Sequence, residues 1–280
     1  MSEEIVAIGG ARLTVEKMHC LIKSIDEDGP DKWIPDDVIN CYISIMNSKR
    51  STSGKILKLT TFDSRKLQSW GLSMEKREEL RERTSSNIIE KGYDFLQNEL
   101  VFLPIYEQNH WFIGVFNASK KEFQILNSLN SEGATYKETT QQLRLGIQVC
   151  INAALDDQGD PLDEWLQENV VTWPISVISN LPQQKDRCSC GLFALKYMQL
   201  WDGSKLANEF TQDDIDLFRK QLVGELIFSE LNEKKDIQNE IKKKKLYTVE
   251  LIESEESEES EESEDSEDSD ESDESEESGE

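Results

Sequence analysis

The chain has 280 residues, 36% of them hydrophobic, which is enough to build one sizeable core. Its formal charge of −26 is unevenly placed: Glu253–Glu280 holds 18 of the 57 acidic residues and none of the 31 basic ones, so the rest stands at 39 acidic against 31 basic, or −8. No basic stripe with interleaved aromatics is present to neutralise a phosphate backbone, which argues against a nucleic-acid partner. No apolar run approaches the length of a membrane span, and the N-terminal MSEEIVAIGG lacks the basic and apolar regions of a secretion signal. Five cysteines, an odd count without such a signal, fit a reducing compartment, so the expected location is nuclear or cytoplasmic.

In chain order, EKMHCLI around His19 reads as a short helix. Between Lys32 and Met46, Val38, Ile39, Tyr42, Ile45 and Met46 fall at helical spacing behind Pro35 and two aspartates, which predicts a helix. The charged stretch that follows, through Thr84, reads as irregular. Three strands are then expected: Leu100–Tyr106, Trp111–Phe116 and Glu122–Asn127, the last two joined by a turn at NASKK. Tyr136–Ala154 is an amphipathic helix on Leu143, Ile147 and Ile151, and Ile175–Ser179 is a short strand. Gly191–Trp201 is apolar on nearly every side and predicts a buried helix. Thr211 caps a last helix bearing Ile215, Phe218, Leu222 and Leu226. Segregated helices and antiparallel-looking strands favour an α+β fold over a doubly wound sheet. The core residues run out after Leu231, so residues 1–231 are expected to form one domain and 232–252 a charged linker. Residues 253–280, a repeat of serine and two acidic residues, are expected to remain disordered, because they cannot bury enough apolar surface to offset the entropy of ordering.

The chemistry concentrates in QQKDRCSCGLF. Cys190 opens the buried helix, where free N–H groups and the positive end of the helix dipole favour a thiolate. A thiolate needs a base, and of the two histidines His110 stands at the entrance to a strand, from which an imidazole can reach a neighbouring helix mouth. The next strand ends at Asn127, which can accept the second ring N–H of His110 if the two strands pair. Gln184, six residues before Cys190, offers a side-chain amide to a developing oxyanion. Cys188 reads as a bystander in the turn. A zinc site built from Cys188, Cys190, His19 and Cys20 fails on ligand spacing, and no metal or cofactor is expected.

This ordered set resembles the ubiquitin-like-protein-specific cysteine proteases, also called SUMO or sentrin proteases. The resembling segments are WIPDDVIN (Trp33–Asn40), TTFDSRKL (Thr60–Leu67), His110-Trp111, Asn127, Pro182-Gln183-Gln184 and Ser189-Cys190-Gly191. They run in the family's order, with two departures: Asn127 stands where the family has Asp, and Ser189 replaces the Asp before the nucleophile. The resemblance implies a papain-like fold, with the nucleophile at the N-terminus of a buried helix and His110 and Asn127 on an adjacent sheet. It further implies a monomer that cleaves after the C-terminal glycine of a SUMO-like modifier, in its precursor or its conjugates. The glycine tail would lie in a tunnel flanked by Trp33 and Trp111, with Asp36 also on the substrate side. Two other readings are compatible with the same residues: a protease for another ubiquitin-like modifier, and an inactive module that binds one.

Overall fold

Gly9 and Gly10, with φ of +57° and +86°, close a hairpin between β1 (Glu4–Ile8) and β2 (Ala11–Thr14). Such a two-residue turn with positive φ at both positions matches the twist of the strands it joins. In the computed structural model the described residues are 3–22, 32–49, 55–73, 77–129, 136–158 and 168–244. The chain divides into two units, residues 1–233 and 234–280.

The first unit is built on a five-stranded sheet in the order β3 (Ile56–Lys58), β4 (Leu100–Glu107), β5 (His110–Asn117), β6 (Glu122–Leu126) and β7 (Ile175–Val177). The three central strands are antiparallel, as their hairpin turns require. The two edge strands are not: β3 runs parallel to β4 and β7 parallel to β6, which corrects the antiparallel expectation. The cause lies in the connections. Helices α3 (Thr61–Leu72) and α4 (Arg77–Gln97) join β3 to β4, and α5 (Lys137–Gln158) lies between β6 and β7. A helical crossover returns the chain to the end from which it left, so the next strand enters parallel.

Both faces of the sheet are covered, which is why its strands read as unbroken apolar runs rather than alternating ones. Trp111, Ile113 and Val115 of β5 face one core, shared with α1 (Val15–Ile22, the short helix expected around His19), α2 (Asp36–Ser48), α6 (Cys190–Leu200) and α7 (Gln212–Ile227). Phe112 and Phe116 face the other, with Leu67 and Trp70 of α3, Phe95 of α4 and Leu143 and Ile147 of α5. Helix α7 begins as expected at a reciprocal cap between Thr211 and Asp214, and Ile215, Phe218, Leu222 and Leu226 are all buried.

The stretch expected to be irregular through Thr84 instead contains β3, α3 and the start of α4. Helix α3 opens on a capping box, in which Thr60 Oγ1 accepts from Asp63 N at 3.1 Å and Asp63 Oδ2 accepts from Thr60 N at 3.0 Å. Its buried face is Thr61, Ser64, Leu67, Trp70 and Gly71, so small and polar residues dilute the hydrophobic period. They suit close approach. A Cβ on Gly71 would stand 1.9 Å from Gln142 O, and one on Gly146 would stand 1.9 Å from Leu67 O, so α3 and α5 touch backbone to backbone.

Asn232 is fully buried; its Oδ1 accepts from Ala7 N at 2.9 Å and its Nδ2 donates to Ile227 O at 3.0 Å, tying the first hairpin to the end of α7. In the second unit the described residues form a helix over 235–244, with a Lys244–Glu240 pair at 2.9 Å. The stretch expected to be disordered, 253–280, lies outside the described residues.

Candidate active site

Helix α6 begins at Cys190, and Ser189 O accepts from Leu192 N at 2.9 Å and Phe193 N at 3.0 Å as its first turn closes. The helix is buried along most of its length, as its all-round apolarity predicts. Its approach is shaped by Asp186, whose Oδ1 accepts from Cys188 N at 3.1 Å and Ser189 N at 2.9 Å and whose Oδ2 accepts from Ser189 Oγ. This side-chain turn carries a carboxylate into the loop whose residue before Cys190 is Ser189. Arg219 of α7 reaches the same loop from below. It is 4% exposed, donates through Nη2 to Ser189 Oγ at 3.1 Å, and through Nη1 to Cys20 O at 2.6 Å and Lys32 O at 3.1 Å. The sequence reading missed both residues. Asp186 had a local signal in its spacing to the turn; Arg219, thirty residues away from Ser189, had none.

His110 is set by the β4–β5 hairpin. Gln108 and Asn109 have φ of +50° and +61°, and Glu107 pairs with His110 across the turn. The ring stacks beside Phe112 at 6.4 Å and 17°. Asn127 follows the last β5–β6 pair, Ile113 with Leu126, which brings it alongside the start of β5. The expected contact is present: His110 Nε2 lies 2.6 Å from Asn127 Oδ1. Asn127 is 6% exposed and fully engaged. Its Oδ1 also accepts from Leu129 N at 3.0 Å, its Nδ2 donates to Tyr136 Oη, and its carbonyl accepts from Gln183 Nε2 at 3.2 Å.

Cys190 is 4% exposed, and the backbone N–H groups of Trp111, the residue after His110, of Gly191 and of Cys190 itself favour its charged form. Burial nonetheless pushes the thiol above its ordinary range; the N–H groups pull it back only in part, and the charge of Asp186 adds to the rise. Burial also draws His110 below its usual value, partly offset by the bond to Asn127. Both directions favour the thiol and the neutral imidazole, against the thiolate expected from helix position, because desolvation of the charge outweighs the local N–H groups.

Gln184 is tied at both ends, with Oε1 accepting from Ser128 Oγ at 2.7 Å and Nε2 donating to Asp186 O at 2.8 Å. Cys190 ends a cleft of about 290 Å³ whose lining includes Trp33, Asp36, Tyr106, Asn109 and Trp111. Trp33 is 37% exposed and donates to Arg187 O at 3.2 Å, while the buried Trp111 donates to Ile34 O at 2.9 Å. Asp36 pairs with Arg65 at 3.2 Å. Trp33, Asp36 and Trp111 are thus assembled on one cavity with Cys190. A second cavity of about 280 Å³, lined by Lys55, Asn98, Glu168 and Trp173 among others, includes none of these residues. Among the described residues no group of three or more His, Cys, Asp or Glu side chains is placed to hold a metal ion.

Residues 32–234 match the model of the Ulp1 protease family, C-terminal catalytic domain. The chain belongs to this family. Among similar proteins, the putative ubiquitin-like-specific protease 1B of Arabidopsis thaliana is 28% identical over 246 residues, covering 81% of this chain and 67% of that protein. The ubiquitin-like-specific protease ESD4 of the same plant is 26% identical over 77% of this chain and 40% of its own length. Sentrin-specific protease 2 of Rattus norvegicus is 30% identical over 71% of this chain and 30% of its own length. The chain thus spans about two thirds of the first of these relatives and less than half of the other two. Two solved structures share the fold. One is the C-terminal Ulp1 protease domain in complex with Smt3, the yeast orthologue of SUMO (TM-score 0.56, 15% identity, 82% of this chain and 90% of that one). The other is the Chaetomium thermophilum Ulp1-like SUMO protease catalytic domain (TM-score 0.53, 19% identity, 80% and 82%). The expected α+β, papain-like architecture of this Ulp1-family chain is therefore correct.

Proposed function

We propose that this Ulp1-family chain is a thiol peptidase and isopeptidase that cleaves after the C-terminal glycine of a SUMO-like modifier. The observation that carries the reading is the His110 imidazole held by Asn127 at 2.6 Å, on the strand whose next residue, Trp111, lines one cleft with Cys190. His110, neutral at rest, takes the thiol proton on Nδ1 as the sulfur attacks the glycine carbonyl. Its Nε2–H stays on Asn127, which keeps the ring in the required orientation and tautomer. The oxyanion is met by backbone N–H groups at the start of α6 and by the Gln184 amide once it leaves Asp186 O. As the C–N bond breaks, the imidazolium returns its proton to the leaving amine, and water then hydrolyses the thioester.

Trp33 and Trp111 flank the glycine tail, and Asp36 with Arg65 offers opposite charges at the cleft edge to the body of the modifier. The catalytic domain is assigned to the unit of residues 1–233, which holds the buried Asn232, and the charged residues after it to a linker and an acidic tail. Among the described residues no helix is long and apolar enough to cross a membrane, and all five cysteines are free and buried. Five cysteines without a disulfide fit a nuclear or cytoplasmic location.

A panel of modifiers bearing a C-terminal thiol-reactive electrophile tests the reading. SUMO-type modifiers should be captured covalently by the parent chain and not by Cys190→Ala. Capture of a different ubiquitin-like modifier instead would overturn the substrate assignment, and binding without capture would overturn the enzymatic one.

A further inference from the structure

The turn that leads into Cys190 is held by hydrogen bonds whose directions chemistry fixes. A guanidinium only donates and a carboxylate only accepts. Ser189 Oγ lies between the two, so it accepts from Arg219 Nη2 at 3.1 Å and donates to Asp186 Oδ2. The hydroxyl thus links an ion pair whose ends do not touch. Arg219 is 4% exposed, and the other groups it reaches, Cys20 O, Lys32 O and Cys188 Sγ, are not carboxylates. Among the described residues, Asp186 is the anion to which its hydrogen bonds lead, and a buried cation without one is costly. Helix α7 grips Asp186 a second time through Gln212, two turns before Arg219 on the same face. Gln212 Nε2 donates to Asp186 Oδ2 at 3.1 Å, and its Oε1 accepts from Lys185 N at 2.9 Å.

Asp186 also touches both halves of the chemistry. Its side chain receives Cys188 N at 3.1 Å and Ser189 N at 2.9 Å, the two residues before Cys190, and its carbonyl receives Gln184 Nε2 at 2.8 Å. We propose that Asp186 is a positioning residue: locked to Arg219 through the Ser189 hydroxyl, it sets Cys190 and the Gln184 amide relative to each other. The inference rests on the thiol-peptidase reading above. The Asp186 charge opposes ionisation of Cys190, so what the carboxylate contributes is geometry rather than activation.

The test moves the anion. Asp186→Asn keeps an oxygen for the Cys188 and Ser189 N–H groups, but it removes the charge and sets an NH2 against the Ser189 hydroxyl. Adding Ser189→Asp returns a carboxylate that meets Arg219 directly and accepts from the new amide at 186. Parent, both single variants and the double variant are compared by melting curve and by kcat and KM on a fluorogenic modifier substrate. Asp186→Asn should lower kcat about tenfold with KM little changed, since misplaced groups weaken the transition state more than binding. Ser189→Asp alone sets two carboxylates against one guanidinium and should also lose activity. The double variant should recover to within about threefold of the parent, the non-additivity expected of one linked unit. Alkylation of Cys190 by iodoacetamide, read by mass spectrometry, should be no slower in Asp186→Asn than in the parent. That reaction does not use Gln184, and a charge opposing the thiolate is gone. A double variant no better than the better single one, or alkylation that falls together with kcat, overturns the proposal. If Asp186→Asn alone does not fold, the double variant still decides, because it must then be folded and active. Absence of any Cys190-dependent turnover in the parent would overturn the proposed function instead. The melting curves would still decide the lock, which requires both single variants to melt lower and the double variant to recover.

Discussion

Replacing Asn127 by Asp changes one charge at a measured distance from the base. Nε2 of His110 lies 2.6 Å from Oδ1, so the new carboxylate would sit about 4 Å from the centre of charge of the imidazolium. At an effective dielectric near 20 this attraction is about 4 kcal/mol, or about three pH units. Burying a carboxylate where Asn127 is 6% exposed takes back part of it, although Leu129 N–H and a rotated Tyr136 hydroxyl can donate to the new group. A net rise of about one to two pH units in the His110 pKa is expected. The sign follows from the resting state. Burial holds His110 below its ordinary value of 6.5 and lifts Cys190 above 9.0, so the free enzyme carries thiol and imidazole, and its acid limb reports protonation of His110. Asn127→Asp should therefore move the acid limb of kcat/KM to higher pH by about one to two pH units, with the alkaline limb moving less. The assay is kcat/KM on a fluorogenic modifier substrate at constant ionic strength, on protein whose melting curve shows that it is folded. An acid limb that stays in place refutes the contact between Asn127 and the working base. An alkaline limb that rises alone shows that the pair rests as thiolate and imidazolium, and that burial does not govern Cys190.

Cys190→Ser should abolish covalent labelling by an electrophilic modifier while Cys188→Ser preserves most of it; the opposite pattern from mass spectrometry of the labelled protein would reassign the nucleophile. Gly146→Ala should lower the melting temperature by about 4–8 °C, a net loss of about 2 kcal/mol, because the added carbon would meet backbone rather than a movable side chain. A calorimetric scan that shows no loss would mean that α3 and α5 are not in backbone contact. Deleting Glu253–Glu280 should leave cleavage of a small modifier substrate within about twofold, since what 18 carboxylates do at long range is screened by salt. A large loss that persists at high salt would place the segment in the fold or the site.

Several features of this chain are local and can be read without a partner element. The apolar runs of β4 and β5, the all-round apolarity of α6, the cap at Thr211 and the cysteine at the mouth of a helix each depend on neighbours within a few residues. The order His110, Asn127, Gln184, Cys190 is also linear information, and it was enough to point to a family. Some local signals were present and passed over: the Gly9-Gly10 hairpin, and the capping box at Thr60 hidden in a charged stretch whose buried face is made of Thr61, Ser64 and Gly71. Other features had no local signal. The parallel entry of β3 and β7 depends on where the crossover helices return the chain, and the opposed glycines at 71 and 146 gain meaning only when two helices meet. The protonation of the site belongs to this second class. A cysteine at a helix N-terminus looks like a thiolate on paper. Whether it is one depends on how much water the folded chain leaves around Cys190 and His110, and burial is decided by α2, β5 and α7 together. Arg219 is invisible for the same reason. It acts through hydrogen bonds to Ser189, Cys20 and Lys32, all far from it in the chain, and hydrogen bonds of that kind exist only after the backbone has been brought into place.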